Sequence, residues 1–221
     1  LGDYYLMSGE VWEATLLYSQ VDKAFPEELI GQDARFRNAK LSYYNGDFEW
    51  AQSQFDILKT STSKLISNDA LDLSIFIMDN LGLDSNTHAM SEYAQAELLI
   101  FQNKLDESIE KLNILGNIYS EHGLKDDILY LEAKLYEKKR DYLKAESLYQ
   151  EIITTFPEEI RADNALYNQA QLYEHQLNDP EKAKACYEKL FMEYTDSTFA
   201  IEARKRFREL RGDFDEEAEM Q

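Results

Sequence analysis

One pattern of side chains occurs five times along this chain of 221 residues. Each copy begins with a small residue. Counted from it, an aromatic or aliphatic residue follows four positions later, an aliphatic residue seven positions later, and Pro, Ser or Thr twelve positions later. The small residues are Ala14, Ala51, Ser108, Ala145 and Ala183. Residues spaced in this way share one face of an α-helix, and a small residue lets a neighbouring helix approach closely. Each copy therefore predicts a helix with a fixed packing face.

The stretch before each copy is also repeated, and it predicts a second helix. Residues 128–141 and 165–179 place Leu, Tyr, Ala and Tyr at equal steps. The small residues of successive copies are 37, 57, 37 and 38 residues apart. The long step contains about 20 additional residues, enough for one helix and a turn. We place this inserted helix at 67–81 and expect it to bury Ile75 and Ile77.

These helix pairs resemble the tetratricopeptide repeat, whose unit has small residues at positions 8 and 20. Position 8 is filled here by Gly2, Ala39, Ala96, Ala133 and Ala170. The resemblance implies an all-α fold, a right-handed α-solenoid of antiparallel helix pairs. We expect a single superhelix over 1–211, followed by a disordered acidic tail at 212–221. The five repeats are predicted at 1–26, 31–63, 88–120, 126–157 and 163–195. The inserted helix is predicted at 67–81 and a closing helix at 197–211.

Composition and charge limit the possible functions. A net charge of −20 disfavours nucleic acid and anionic membrane surfaces as partners. The single cysteine, Cys186, excludes a disulfide framework and a cysteine-rich metal site. His88, His122 and His175 fall in different repeats, and no carboxylate has an identifiable acid–base partner. We therefore expect a protein that is not an enzyme, with no cofactor, no metal, no membrane span and a protein or peptide as its partner.

In the family that the pattern resembles, the first helix of each repeat lines a concave groove. Position 5 is aromatic in the four complete copies, which predicts a stripe of aromatic side chains. The alternative is that these rings pack neighbouring first helices together. The candidate groove residues are Phe36, Lys40, Tyr43, Tyr44, Tyr93, Glu97, Phe101, Tyr130, Lys134, Tyr167, Asn168 and Gln171.

The length of the repeat and its turns resemble those of tetratricopeptide proteins of the bacterial envelope, which serve in outer-membrane assembly and the Tol–Pal system. This resemblance implies a scaffold of the periplasm or outer membrane, with the cytoplasm as the alternative. The first residue falls at position 7 of a repeat, so we expect a fragment of a larger protein. Two other hypotheses remain. The chain could be the targeting module of an enzyme or regulator, or a self-assembly module that uses its truncated N-terminal face and its basic last helix.

Overall fold

The computed structural model describes residues 1–81, 87–119 and 123–213, and these contain twelve α-helices and no strand. The all-α prediction is therefore confirmed. The helices are α1 (Gly2–Ser8), α2 (Val11–Ala24), α3 (Leu29–Tyr44), α4 (Phe48–Leu58), α5 (Lys64–Leu81), α6 (His88–Phe101), α7 (Leu105–Ile118), α8 (Lys125–Lys138), α9 (Tyr142–Thr155), α10 (Arg161–His175), α11 (Pro180–Glu193) and α12 (Ala200–Arg211). Ser120 and His122 lie outside the described residues.

The chain divides into two compact units, Leu1–Leu124 and Lys125–Gln221, here called unit 1 and unit 2. In unit 1 the adjacent helices pair as α1 with α2, α3 with α4, and α6 with α7. The inserted helix α5 packs against α4 and α3, and α6 also contacts α3. In unit 2 the pairs are α8 with α9 and α10 with α11, and α12 closes the stack against α11.

The small residues of the pattern lie where the sequence places them. At position 8, Ala39, Ala96, Ala133 and Ala170 are completely buried, and so are all five residues at position 20. Gly2 fills position 8 of the first copy, where a Cβ atom would lie 2.6 Å from the Tyr18 ring. Close helix contacts at these positions leave no room for a larger side chain.

The sequence Phe-Pro-Glu-Glu occurs twice, at 25–28 and 156–159, and the two turns share their backbone hydrogen bonds. The backbone N–H groups of Phe25 and Phe156 donate to the carbonyls of Val21 and Ile152, four residues earlier. In both turns the third residue after the phenylalanine donates back to its carbonyl. The equivalence of the two copies therefore extends from the helices to the loops.

The inserted helix buries only one of the two isoleucines that we expected it to bury. Ile77 is buried, but Ile75 is 39 % exposed. Ser74 fixes the rotation of α5, because its hydroxyl accepts from Gln52 Nε2 at 2.6 Å and donates to Asp56 Oδ1 at 3.0 Å, both on α4. Since neighbouring residues in a helix are rotated by about 100°, this contact turns Ile75 toward solvent.

The last helix, α12, lies at the predicted place and ends at Gly212 with φ of 85°. It buries Ala203 completely and packs Phe207 and Leu210 against the core of unit 2. Arg206 pairs inward with Glu174 of α10, and the exposed cations of the helix are Arg204, Lys205, Arg208 and Arg211. Most of the predicted acidic tail, residues 214–221, lies outside the described residues. No helix among the described residues is both long and apolar enough to cross a membrane.

Candidate functional site

A cavity of about 250 Å³ lies in unit 1, lined mainly by α1, α3 and α5. Four of the predicted groove residues line it: Phe36, Lys40 and Tyr44 on α3, and Phe101 at the end of α6. The rest of the lining is Asp3, Leu6, Tyr18, Asp33, Arg37, Leu65, Ile66 and Asp69. Aromatic and aliphatic walls with a few charged groups are typical of sites that bind a side chain of a ligand.

One wall of the cavity is fixed by Arg37. Its guanidinium donates to both carboxylate oxygens of Asp3, at 2.7 and 2.8 Å, and to Asp33 at 2.8 Å. These bonds, with that to Asp33 the strongest cause, hold the pKa of Arg37 above its usual range. Because Asp3 lies on α1 and Arg37 on α3, the ion pair between them joins the two helices.

The same helix, α3, places the half-buried ammonium group of Lys40 one turn after Arg37. Its Nζ lies 5.6 Å from the centre of the Tyr44 ring, a cation–π contact. Burial disfavours the charge of Lys40, but Tyr44, Glu97 and Asp69 outweigh burial and hold its pKa above the usual value. Among the described residues Lys40 forms no salt bridge within 4.0 Å. Its positive charge is therefore stabilised by several nearby groups and not by one paired carboxylate.

Tyr43 and Tyr93 do not line a groove, and the prediction is corrected for both. Tyr43 is fully buried, and Tyr93 is 4 % exposed. The cause is the inserted helix: Phe76 of α5 stacks on the Tyr93 ring at 5.1 Å and meets the Tyr43 ring edge-on at 6.1 Å. Glu97 lies half-buried beside Tyr43 and Lys40.

The predicted residues of unit 2 lie on the first helices α8 and α10 and bond to one another. Asn168 Nδ2 donates to the Tyr130 hydroxyl at 2.7 Å, and Gln171 Nε2 donates to the Tyr167 hydroxyl at 3.0 Å. The fifth residue, Lys134, forms an ion pair with Glu137 at 2.9 Å.

The two aromatic rings of this set also contact neighbouring elements. Arg161 covers the Tyr130 ring at 5.2 Å, and Phe199 stacks on the Tyr167 ring at 4.5 Å. Tyr130 and Tyr167 thus combine both alternatives: they pack adjacent elements together and remain partly exposed.

Unit 2 also has a cavity of about 440 Å³ between the turn that follows α9 and the turn that follows α11. Its charged lining consists of the carboxylates Glu158, Glu159, Asp163, Glu193 and Asp196. It contains none of the residues predicted to line the groove, and a cluster of acidic side chains alone does not define a ligand. The unit 1 cavity is therefore the candidate site.

Eight of the twelve residues that line this site were not predicted from the pattern. Leu65, Ile66 and Asp69 belong to α5, which has no equivalent in the other copies and therefore no register from which to place its side chains. Arg37 could have been found, because it follows the position 5 residue Phe36 directly and an aspartate lies four residues before it.

Cys186 and the described histidines show no catalytic arrangement. Burial raises the pKa of the Cys186 thiol to about 11, and the thiol lies 3.6 Å from Gln169 Oε1. His88 Nδ1 lies 3.2 Å from the Tyr119 hydroxyl, and His175 lies 4.0 Å from Glu174. Among the described residues no group of three His, Cys, Asp or Glu side chains could hold a metal ion.

A family model described as the tetratricopeptide repeat matches residues 127–159 and 164–197, which are the helix pairs α8–α9 and α10–α11. These two helix pairs of unit 2 are therefore similar to tetratricopeptide repeats. No curated protein matches it. BtubC (BKLC) from P. vanneervenii is 17 % identical, covers 95 % of this chain and 85 % of its own, and superposes with a TM-score of 0.51. At this identity, the likeness shows a shared fold and nothing about shared function.

Two other solved tetratricopeptide structures resemble the chain more distantly. A tetratricopeptide repeat protein from Parabacteroides merdae is 16 % identical over 96 % of this chain and 71 % of its own, with a TM-score of 0.45. A point variant of a kinesin light chain with nearly identical repeats, from Podosopora anserina, is 16 % identical over 89 % of this chain and 94 % of its own, with a TM-score of 0.41. Tetratricopeptide repeats as a class indicate a scaffold for protein–protein interaction.

Proposed function

We propose that the chain is a scaffold without catalytic activity and that the unit 1 cavity binds an extended segment of a partner protein. The observation that carries this proposal is the meeting of Phe36, Lys40, Tyr44 and Phe101 in one cavity, which α5 closes from the side. An aliphatic or aromatic side chain of the partner fits between the rings. The ammonium group of Lys40, which is not tied to one carboxylate, can donate to a backbone carbonyl or a carboxylate of the same segment.

A peptide library displayed on phage and selected on the purified chain tests this proposal. We expect the enriched peptides to share an apolar residue and to lose binding when Leu65, which is 72 % exposed at the cavity, is replaced by Glu. Leu143 on α9 is also 72 % exposed, so Leu143→Glu introduces the same change away from the cavity and should leave binding intact.

A second variant examines the charged wall. Lys40→Gln removes the ammonium group and should weaken the same peptides by roughly tenfold, the usual scale for one charged hydrogen bond. Circular dichroism melts of every variant separate lost binding from lost folding. Peptides that bind the wild-type, Leu65→Glu and Lys40→Gln chains equally would place the binding surface elsewhere and contradict the proposal.

We also propose a bacterial cell envelope as the setting, with this chain as part of a larger envelope protein. The support is the 37-residue step between repeats and the similarity of its turns to those of envelope tetratricopeptide proteins. Fractionation of the native organism, followed with an antibody to this chain, tests the location. Recovery of the protein only from the cytoplasmic fraction would contradict it.

A further inference from the structure

The outward face of α5 exposes three apolar side chains in a row. Leu71, Ile75 and Met78 are 42 %, 39 % and 60 % exposed and follow one another at steps of four and three residues. Side chains at this spacing are neighbours on one side of a helix, so the three form a continuous α5 stripe about 10 Å long. Single exposed apolar residues are ordinary, but a continuous row on an element that interrupts the repeats indicates a surface that another helix covers.

Charges beside the stripe determine which helix fits it. Asp69, Asp72 and Asp79 are exposed on α5, and Lys64 is the single cation of this helix. Two α5 stripes packed against each other would bring these aspartates together in a partly dry contact, which is unfavourable. The complementary face must therefore be apolar in part and positively charged.

Helix α12 presents such a face in the same chain. Ile201 is 84 % exposed, and Lys205 and Arg208 follow it at the same steps of four and three residues. The contacts of Lys205 and Arg208 within the chain are weak: Lys205 lies 4.0 Å from Glu209, and Arg208 forms no salt bridge with a described residue. Long cationic side chains lay their methylene groups on apolar surface while their charged ends reach outward.

We propose that the α5 stripe of one molecule binds the outward face of α12 of a second molecule. Ile201 and the stems of Lys205 and Arg208 cover the stripe, and their charges meet Asp72 and Asp79. This contact uses neither the rings nor Lys40 of the cavity, so it is independent of the proposed function. Because the two surfaces differ, a pair of molecules leaves one of each unused, and association continues beyond the pair unless it closes into a ring.

Sedimentation velocity over a concentration series at low and high salt tests the contact. We expect the wild-type chain to associate at low salt and to dissociate at high salt, because the ion pairs at the surface are screened. Asp72→Lys/Asp79→Lys and Lys205→Glu/Arg208→Glu should each weaken self-association by roughly tenfold or more, since each makes the two faces alike in charge. An equimolar mixture of the two variants should associate again, because each then meets an opposite charge on the other.

Two control variants carry the same change of charge elsewhere. Glu107→Lys/Glu110→Lys lies on exposed positions of α7, and Lys138→Glu/Arg140→Glu lies at the exposed end of α8 and the turn after it. Both should associate as the wild type does. A wild-type chain that stays monomeric throughout the series would overturn the proposal. So would variants that associate unchanged, or a mixture that stays apart.

Discussion

The two units are built from the same helix pair but distribute their apolar residues differently. Among the described residues twenty large apolar side chains are exposed, sixteen of them in unit 1 and four in unit 2. Unit 2 consists of regular repeats and a closing helix, and its tyrosines are tied inward: Tyr149 donates to Glu137 and Tyr187 to Glu174, each at 2.8 Å. The interrupted unit has more exposed apolar side chains, and one of them, Leu65, lines the candidate site.

The difference shows what a regular repeat does and what an insertion adds. In unit 2 each first helix meets an equivalent neighbour, so a residue at one position of the pattern has the same surroundings in the next copy. In unit 1, α5 covers residues that would otherwise face a groove and opens a cavity beside them. The predictions below test whether this difference in packing between the two units holds.

The largest difference is expected at position 5. Tyr93 in unit 1 is 4 % exposed and stacks on Phe76, so Tyr93→Ala should destabilise unit 1 by about 3–5 kcal/mol. Tyr130 in unit 2 is half-buried and accepts one hydrogen bond from Asn168, so Tyr130→Ala should cost about 1–3 kcal/mol. Hydrogen exchange measured by mass spectrometry gives each loss in its own unit.

Tyr130→Phe is the control for the second change, because it keeps the ring and removes the hydroxyl, at a cost of about 1 kcal/mol. Equal losses for Tyr93→Ala and Tyr130→Ala would mean that position 5 has one role in both units. The contrast drawn here between packing by Tyr93 and partial exposure of Tyr130 would then be wrong.

A smaller effect is expected at position 8, where the units should agree. Ala39 in unit 1 and Ala170 in unit 2 are both completely buried, so leucine at either place overpacks a helix contact at a cost of about 1–3 kcal/mol. Ala24 is exposed at the end of α2, and Ala24→Leu is the matched control, with little expected change. A thermal melt unchanged by Ala170→Leu would show that the close contact is absent.

The sequence predicted what the repeat determines and missed what the insertion determines. Spacing alone identified the nine buried small alanine and serine residues at positions 8 and 20, because each has equivalents in other copies that fix its register. It also identified a helix over 67–81, which lies within α5. It placed Ile75 in the core and named Tyr43 and Tyr93 as candidate groove residues, with packing as the alternative for position 5 rings such as Tyr93. Nothing in the pattern shows which face α5 buries or that Phe76 contacts both tyrosines.

The next prediction concerns a buried carboxyl group of unit 2. Glu132 on α8 is 6 % exposed, and within the described residues its Oε1 has no hydrogen-bond partner. Burial raises its pKa from 4.5 to about 7, although Lys125 and Lys144 counter part of this effect. Between pH 4.5 and about 7 the folded chain binds more protons than the unfolded chain. The contribution of Glu132 to the free energy of unfolding therefore decreases as pH rises through this range.

Glu132→Gln should therefore stabilise the chain at neutral pH by about 2 kcal/mol and make its melting temperature less dependent on pH between about 4.5 and 7. Glu188 is exposed on α11, and Glu188→Gln is the control for the loss of one negative charge. A pH profile that keeps its full slope in Glu132→Gln would mean that this carboxyl is not the group responsible.

The smallest expected effect is at the capping residue that directly precedes a second helix. Asp141 and Asp179 in unit 2, and Asp47 in unit 1, accept a hydrogen bond from the backbone N–H three residues later. Lys104 occupies the same place before α7 and makes no side-chain cap. Its backbone angles, φ −93° and ψ 63°, are nearly those of Asp141, φ −89° and ψ 73°, so the geometry for a cap is already present.

Lys104→Asp should therefore add the missing cap and stabilise α7 by about 0.5–1 kcal/mol, while Asp141→Ala should destabilise α9 by about 1 kcal/mol. Hydrogen exchange in the first turn of each helix measures the two effects separately. Lys104→Ala separates the cap from the loss of the positive charge, whose removal at a helix N-terminus is itself mildly favourable. Hydrogen exchange that is slowed no more by Lys104→Asp than by Lys104→Ala would contradict this prediction. The second helices α7 and α9 would then differ in more than the capping residue.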